Sequence, residues 1–329
     1  MTMVFAGVDA VAWTAALLLL LLLLATTSGR LYYLLWGHFI LEEADCIVVI
    51  TGCDTGFGLG SAQRLAERGF CVVANCYTMA GAKELAKKKR SNLHALQGDV
   101  TKENDVDELL RLVERLIKKN KKRRLWALVN NAGVAPMGHI AIIGIDEIKH
   151  AMNVNYLGVV MVTKAFIQLL KHAPESRVIN VSSMAGLAAG PGFGAYSASK
   201  HALQGMSAAL REELRPFRVH VANVNPCFMR TPMISASVTQ AKEIFDAAPE
   251  EVRRQYREDA LVADGAMVNA IAEDPEKVIK FICDTLITAR RPHFFNPVGI
   301  QAGVLRYLLI LPKALIEFCS SLFAPSFKA

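Results

Sequence analysis

The sequence has no Cys-x-x-Cys pair and no other metal-ligand or redox spacing, although it holds seven cysteines: Cys46, Cys53, Cys71, Cys76, Cys227, Cys283 and Cys319. An odd number scattered in apolar runs argues against a disulfide framework or a metal site. It reads instead as buried, reduced thiols, and against an oxidising lumen for the folded part. There is no internal repeat and no low-complexity linker, which excludes solenoids and arrays. At 329 residues and 53% hydrophobic content the chain can bury a substantial core, in one large domain or two. No aromatic residues interleave the two basic runs, "KKKR" (Lys87 to Arg90) and "KKNKKRR" (Lys118 to Arg124), and no nucleic-acid-binding module is recognisable, so nucleic acid is not an expected partner. These runs hold much of the +7 surplus of 37 basic over 30 acidic side chains. Their plain reading is solvated helix ends, with attraction to an anionic membrane surface as the alternative.

Charge is absent from Ala10 to Gly29, 20 residues that are long enough to cross a bilayer core as a helix. Asp9 is the only charged side chain ahead of this run and no arginine precedes Arg30. The basic leader of a cleaved signal peptide and the arginines of a mitochondrial presequence are therefore both missing, and a retained membrane anchor within residues 1–44 is expected. Arg30, just after the run, favours the cytosolic face for the domain that follows. At the other end, Gly303 to Phe323 is apolar but interrupted by Arg306, Pro312, Lys313 and Glu317. That pattern suits a helix lying in the membrane interface better than a second crossing. A tail packed on the domain or at a homodimer interface is the alternative for residues 298–329.

Between these ends, short apolar runs alternate with amphipathic ones. "CIVVIT", "FCVVAN", "LHALQGDV", "LWALVNNAG", "SRVINVSS" and "RVHVANVNP" read as six strands, and the stretches between them as helices, including Asp146 to His172 and a helix from the Tyr196 region to Leu214. Strands interleaved with helices of this length imply an α/β, doubly wound parallel sheet covered on both faces. Ligands of such a sheet bind beyond the carboxyl ends of the strands.

At the first of those ends stands "TGCDTGFGLG", with Gly52, Gly56 and Gly58 between strand and helix. Glycines there permit a tight turn and close approach of backbone to a pyrophosphate, which the free N–H groups of the next helix then meet. Farther along, Tyr196 and Lys200 are four residues apart and would stand one above the other on a helix. A phenol beside an ammonium is drawn toward ionisation, which suits proton exchange with a substrate, although such a pair also arises by chance.

In order, the T-G-x-x-x-G-x-G turn, "NNAG", "NVNYLG", "VSS" and Y-x-x-x-K resemble the short-chain dehydrogenase/reductase family over roughly Asp45 to Pro297. "TGCDTGFG", "LWALVNNAG", "INVSSMAG" and "TLITARRPHFFNP" are most similar to its membrane-associated branch of retinol, NAD-linked 11β- and 17β-hydroxysteroid and 3-hydroxybutyrate dehydrogenases. The resemblance implies a single catalytic domain, residues 45–297, of Rossmann type. It implies Tyr196 as general acid/base and Lys200 lowering its pKa while holding the nicotinamide ribose. Ser183 would bind the substrate oxygen, and Asn155 would support a water and lysine proton relay. Gly52, Asp54, Thr55, Gly56, Phe57, Gly58, Asp99, Asn130, Ala132, Gly133 and Thr231 would, with Tyr196 and Lys200, hold the cofactor.

The end of the second strand, "ANCYT", has neither the acid that binds ribose hydroxyls nor a base for the NADP phosphate. The missing base and the NAD-linked relatives point to NAD, with NADP as the alternative. Met184, Leu187, Phe193, Phe228, Met229, Met233 and Ile234, with Ser183 and Tyr196, are expected around the substrate, and their apolar character suits a sterol or retinoid. A hydroxybutyrate enzyme would need a cation for the carboxylate, for which Arg230 is the obvious candidate. A catalytically silent dinucleotide-binding scaffold is the reading from another class. A small lipophilic substrate, membrane lipid and the endoplasmic reticulum complete the expectation.

Overall fold

The computed structural model describes residues 37–255, 268 and 270–309. The Ala10 to Gly29 run, Cys319 and most of the Gly303 to Phe323 stretch lie outside them. Seven strands form one parallel sheet in the order β3-β2-β1-β4-β5-β6-β7. They are β1 Cys46–Thr51, β2 Cys71–Cys76, β3 Leu93–Gln97, β4 Arg124–Asn130, β5 Arg177–Val181, β6 His220–Pro226 and β7 Phe295–Val298. β1, β2 and β5 are buried at every position, as expected for strands covered on both faces.

The helices are α1 Gly56–Arg68, α2 Met79–Ala86, α3 Glu103–Lys119, α4 Ile145–Met152, α5 Val159–Lys171, α6 Gly194–Leu214, α7 Pro232–Ala247, α8 Glu276–Lys280 and α9 Ile300–Leu308, with a four-residue turn of helix at Glu250–Arg253. Leu65 of α1, Leu85 of α2 and Val278 of α8 pack on one face of the sheet, and Leu109 of α3, Phe166 of α5 and Leu210 of α6 on the other. α4 and α5 run into each other through the π-helical turn Asn153–Gly158, making one apolar helix, Ile145–Lys171, long enough to cross a membrane. Its buried residues, among them Val162, Phe166 and Leu170, belong to the domain core, so it serves the fold.

Six strands and their helices lie where the alternation of apolar runs puts them. β7 is an addition that the pattern does not announce, because its run is short and contains Pro297. A proline is tolerated there because β7 is the last strand of the sheet and needs hydrogen bonds on one side only.

One buried cation ties the two ends of the described chain to the sheet. Arg177, with no exposed surface, stacks its guanidinium 4.3 Å from the Trp126 ring centre. It donates to the carbonyls of Leu286 (2.7 Å), Ala289 (3.0 Å) and Glu175 (2.7 Å). Trp126 donates to Ile287 O at 2.8 Å, and Phe39 meets the Trp126 ring edge-on. Arg177→Met keeps the apolar stem and strips three carbonyls, two of them buried, of their donor. At about 1–3 kcal/mol for each unpaired buried group, the loss is expected to exceed about 2 kcal/mol in urea unfolding. A loss under about 1 kcal/mol would remove this cluster from the account.

Candidate active site

The sheet order reverses between β1 and β4, and beyond their carboxyl ends opens a cleft of about 400 Å³. Its floor follows from one close contact. Gly52 has φ +69°, and a Cβ there would stand 2.7 Å from Ala132 Cα; a Cβ on Gly58 would stand 2.2 Å from Gly52 O. Only glycine allows the turn after β1 to press on the turn after β4 and on α1. Side chains fasten the contact: Thr51 Oγ1 accepts from the N–H groups of Asn131 and Ala132, both at 3.0 Å. Asn131 Nδ2 donates to the carbonyls of Thr51 and Gly52, both at 2.9 Å. Thr55, Gly56 and Phe57, at the start of α1, line the cleft and turn its unpaired N–H groups toward it.

Asp54 occupies the end of β2. Its carboxylate accepts from Tyr77 N (2.7 Å), Thr78 N (2.9 Å) and Thr78 Oγ1 (2.6 Å). A carboxylate from the glycine turn thus stands at the end of β2, where "ANCYT" itself has none. Asp99, after β3, also lines the cleft, its Oδ1 accepting from Thr101 N at 2.9 Å and Thr101 Oγ1 at 2.8 Å. A glycine floor that no Cβ could enter, a helix N-terminus and a carboxylate at the end of β2 together fit a dinucleotide.

At the other side of the cleft, α6 carries Tyr196 and Lys200 on one face. The Tyr196 ring is partly open to the cleft, and Ser183 lines the same wall. Ser183 Oγ accepts from Ala185 N at 3.1 Å and donates to Pro226 O at 3.4 Å. Lys200 is buried and donates to Val181 O at 2.9 Å. A Cβ on Gly133 would stand 3.6 Å from its Nζ, so the glycine leaves room for the ammonium. Asn155 sits behind, in the π-helical turn. It accepts from Val134 N (2.8 Å) and donates to Val134 O (2.8 Å) and Ser199 Oγ (2.9 Å).

Burial pushes the Tyr196 phenol above its ordinary range, with Ser183 opposing and the Cys227 thiol adding to the rise. Lys200 Nζ lies 5.8 Å from the ring centre and is held by Val181 O. Burial lowers Lys200 to about 8.

Of the residues expected at the site, Gly52, Asp54, Thr55, Gly56, Phe57, Asp99, Ala132, Gly133, Ser183, Tyr196, Lys200, Met229 and Thr231 line the cleft, as do Met233 and Ile234. Gly58 and Asn155 stand directly behind that lining. Asn130 does not reach it: as the last residue of β4 its side chain points into the core, donating to Asn180 Oδ1 (2.8 Å) and Thr163 Oγ1 (3.1 Å). Its neighbour Asn131 takes the cleft position, as strand alternation requires. Met184 is buried in the short turn after β5, and Phe193 and Phe228 pack on each other, ring centres 6.0 Å apart, clasping two loops together. These three lie outside the cleft lining. Arg230 donates to Ala272 O at 3.1 Å and also lies outside it. The sequence reading missed Asn131, His150 and the half-buried Cys227, all on the lining.

A lysine whose folded pKa is about 8, against 10.5 unfolded, binds fewer protons than the unfolded chain between those values, so stability rises with pH across that window. Lys200→Met removes this dependence. Wild type is expected to gain stability relative to the variant, by about 3 kcal/mol between pH 7.5 and 10.5, in parallel urea titrations. Two curves that stay parallel would contradict the buried ammonium.

The family model described as short chain dehydrogenase matches residues 46–242. The mitochondrial D-beta-hydroxybutyrate dehydrogenase of Mus musculus is 33% identical over 263 residues, covering 76% of this chain and 76% of that protein. Retinol dehydrogenase 5 of Mus musculus is 33% identical over 259 residues, 78% of each chain. 17-beta-hydroxysteroid dehydrogenase type 6 of Mus musculus is 36% identical over 233 residues, 69% of this chain and 72% of that one. Among solved structures, a short chain dehydrogenase/reductase from Burkholderia phymatum in complex with NAD shares the fold, with a TM-score of 0.65 at 20% identity over 88% of this chain and 99% of that one. A glycine-floored cleft with Ser183, Tyr196 and Lys200 at its far wall, together with these matches, makes the chain a member of the short chain dehydrogenase family, an oxidoreductase that acts on alcohols with a nicotinamide cofactor.

Proposed function

We propose that the protein oxidises a lipophilic alcohol with NAD, or reduces the matching carbonyl, while held at a membrane. The placement of Arg230 carries the choice of substrate. The cation that a small hydroxy acid would need is turned away to Ala272 O, and Met229, Met233 and Ile234 line the cleft near Tyr196. A steroid or retinoid alcohol matches such a wall, and the retinol and 17-beta-hydroxysteroid relatives support the reading. The membrane part rests on the uncharged Ala10 to Gly29 run, and the endoplasmic reticulum with a cytosolic domain remains the favoured location.

When bound, the nicotinamide supplies the hydride acceptor. Ser183 Oγ and the Tyr196 hydroxyl, on one wall of the cleft, form the pair between which a substrate oxygen inserts. In oxidation Tyr196, ionised, takes the proton of that oxygen, and in reduction the phenol returns it. Lys200, one helical turn on, holds the ribose and keeps a positive charge near the phenol. Asn155, pinned by both backbone groups of Val134, fixes the loop that faces Lys200 and supports the path by which the proton leaves. Asp54 sets the cofactor. A carboxylate held by three donors at the end of β2 accepts from ribose hydroxyls and repels the extra phosphate of NADP.

Tyr196→Phe removes one hydroxyl and keeps the ring, so turnover is expected to fall by at least ~10²-fold with NADH binding retained, read by NADH fluorescence and product assay. A loss under about tenfold would remove Tyr196 from the proton path. For the cofactor, kcat/KM for NAD and NADP is compared in wild type and in the Asp54→Ser, Tyr77→Arg variant. Tyr77 is 64% exposed and can accept an arginine, whereas Cys76 is fully buried and cannot. Preference should move toward NADP by about tenfold or more, the effect of exchanging a repelling charge for a paired one. A wild-type preference for NADP would overturn this reading. A panel of steroid, retinoid and short hydroxy-acid substrates tests the rest, and turnover confined to the hydroxy acids would sink it.

A further inference from the structure

All seven strands are parallel, so every one of them begins at the same end of the sheet, opposite the cleft. Positive charge collects at that end. Lys88 and Lys89 follow α2 on the way into β3, and Lys118, Lys119, Lys121 and Lys122 bridge the end of α3 and the start of β4. All six are exposed and, among the described residues, none of them has a carboxylate within ion-pair distance. Of the neighbouring carboxylates, Glu43 is matched with Arg68, Glu67 with Arg90 and Glu84 with Lys87, while Asp45 accepts from Asn120 Nδ2 at 3.3 Å, so Asp45 and Glu42 offset only part of the charge of six lysines. One or two cations in a last turn satisfy a helix dipole, and Lys118 and Lys119 do so for α3; the other four lie past their helices. The cleft end instead carries Asp54 and Asp99.

The same end receives the chain from the uncharged run. Gly37 O accepts from Arg290 N at 3.2 Å and Ala44 O from Arg123 Nε at 3.4 Å, so residues 37–45 lie beside the basic segment. Only seven residues, Arg30 to Trp36, separate Gly29 from Gly37. Fully extended they reach about 25 Å. If the run sits in a bilayer, the strand-start end is tethered within that distance of the headgroups.

We propose that this lysine-rich end is a docking surface for anionic lipid headgroups. It holds the domain upright on the membrane, with the cleft facing away. The inference rests on the membrane reading above and adds orientation and lipid charge to it. Each lysine brought to an anionic surface is attracted within a Debye length and released by salt. The orientation also departs from the expectation of a C-terminal helix in the membrane interface, since α9 starts from the cleft end of β7.

The test uses the full chain reconstituted into phosphatidylcholine vesicles with and without a quarter of phosphatidylserine, followed by flotation and brief amine acetylation read residue by residue. In anionic vesicles at low salt, Lys88, Lys89 and the four lysines of 118–122 should label about fivefold more slowly than in neutral ones. High salt should remove the difference, and Lys149, exposed on α4, should not change. Substituting Lys118→Glu, Lys119→Glu, Lys121→Glu and Lys122→Glu together should abolish protection of Lys88 and Lys89 and leave activity in detergent unchanged. Equal labelling in both vesicles, with the protein still floating, overturns the docking surface alone. Failure to float with either vesicle overturns the membrane reading and the docking surface with it. Protection by RNA but not by vesicles would assign the surface to a different partner.

Discussion

The whole site depends on a contact that leaves no room for a methyl group. Gly52 lies so close to the Ala132 backbone, and Gly58 to Gly52 O, that a Cβ on either would overlap main-chain atoms. Thr51 and Asn131 lock that approach with four hydrogen bonds between the ends of β1 and β4. From there the dependence runs along the chain. The loop after Ala132 passes Gly133 over Lys200 and is pinned at Val134 by Asn155. Asn155 in turn holds Ser199 Oγ, which donates to Tyr196 O on α6. The cofactor floor and the proton-transfer wall are therefore parts of one hydrogen-bonded structure, and a shift at the glycines is transmitted to the phenol.

The groupings of the site were legible in the sequence where they are local: Tyr196 and Lys200 are related by a single helical turn, and the three glycines by a single strand-to-helix turn. What was illegible depends on partners distant in the chain. Asp54 was named for the cofactor by family resemblance alone, and its contact with Tyr77 and Thr78, more than twenty positions away, could not be read from the sequence. Asn130 and Asn131 show a finer limit, since one position decides whether an amide points into the core or into the cleft. Met184, Phe193 and Phe228 were placed by their loops and their apolar character, which do not separate a substrate wall from packing. Arg177 carried no sequence signal, although it binds the C-terminal segment to the sheet.

Two charge patterns divide the domain along its strands. The cleft end gathers carboxylates beside an apolar wall, suited to a ribose and a lipophilic alcohol. The opposite end gathers lysines beside the entry of the chain from its uncharged run. In the proposed docking, a domain held by that end presents its cleft away from the headgroups, so that the substrate leaves the bilayer to react.

The central claim is that hydride passes from an alcohol carbon to a nicotinamide across the cleft between Tyr196 and the glycine turn. The most direct measurement gives the full-length protein NAD and a steroid or retinoid alcohol deuterated at the carbinol carbon, and locates the label in the reduced cofactor by mass spectrometry. The account predicts deuterium on the nicotinamide ring in step with formation of the carbonyl product. Carbonyl formation without label in the cofactor would contradict it, as would the absence of any cofactor reduction across both alcohol classes.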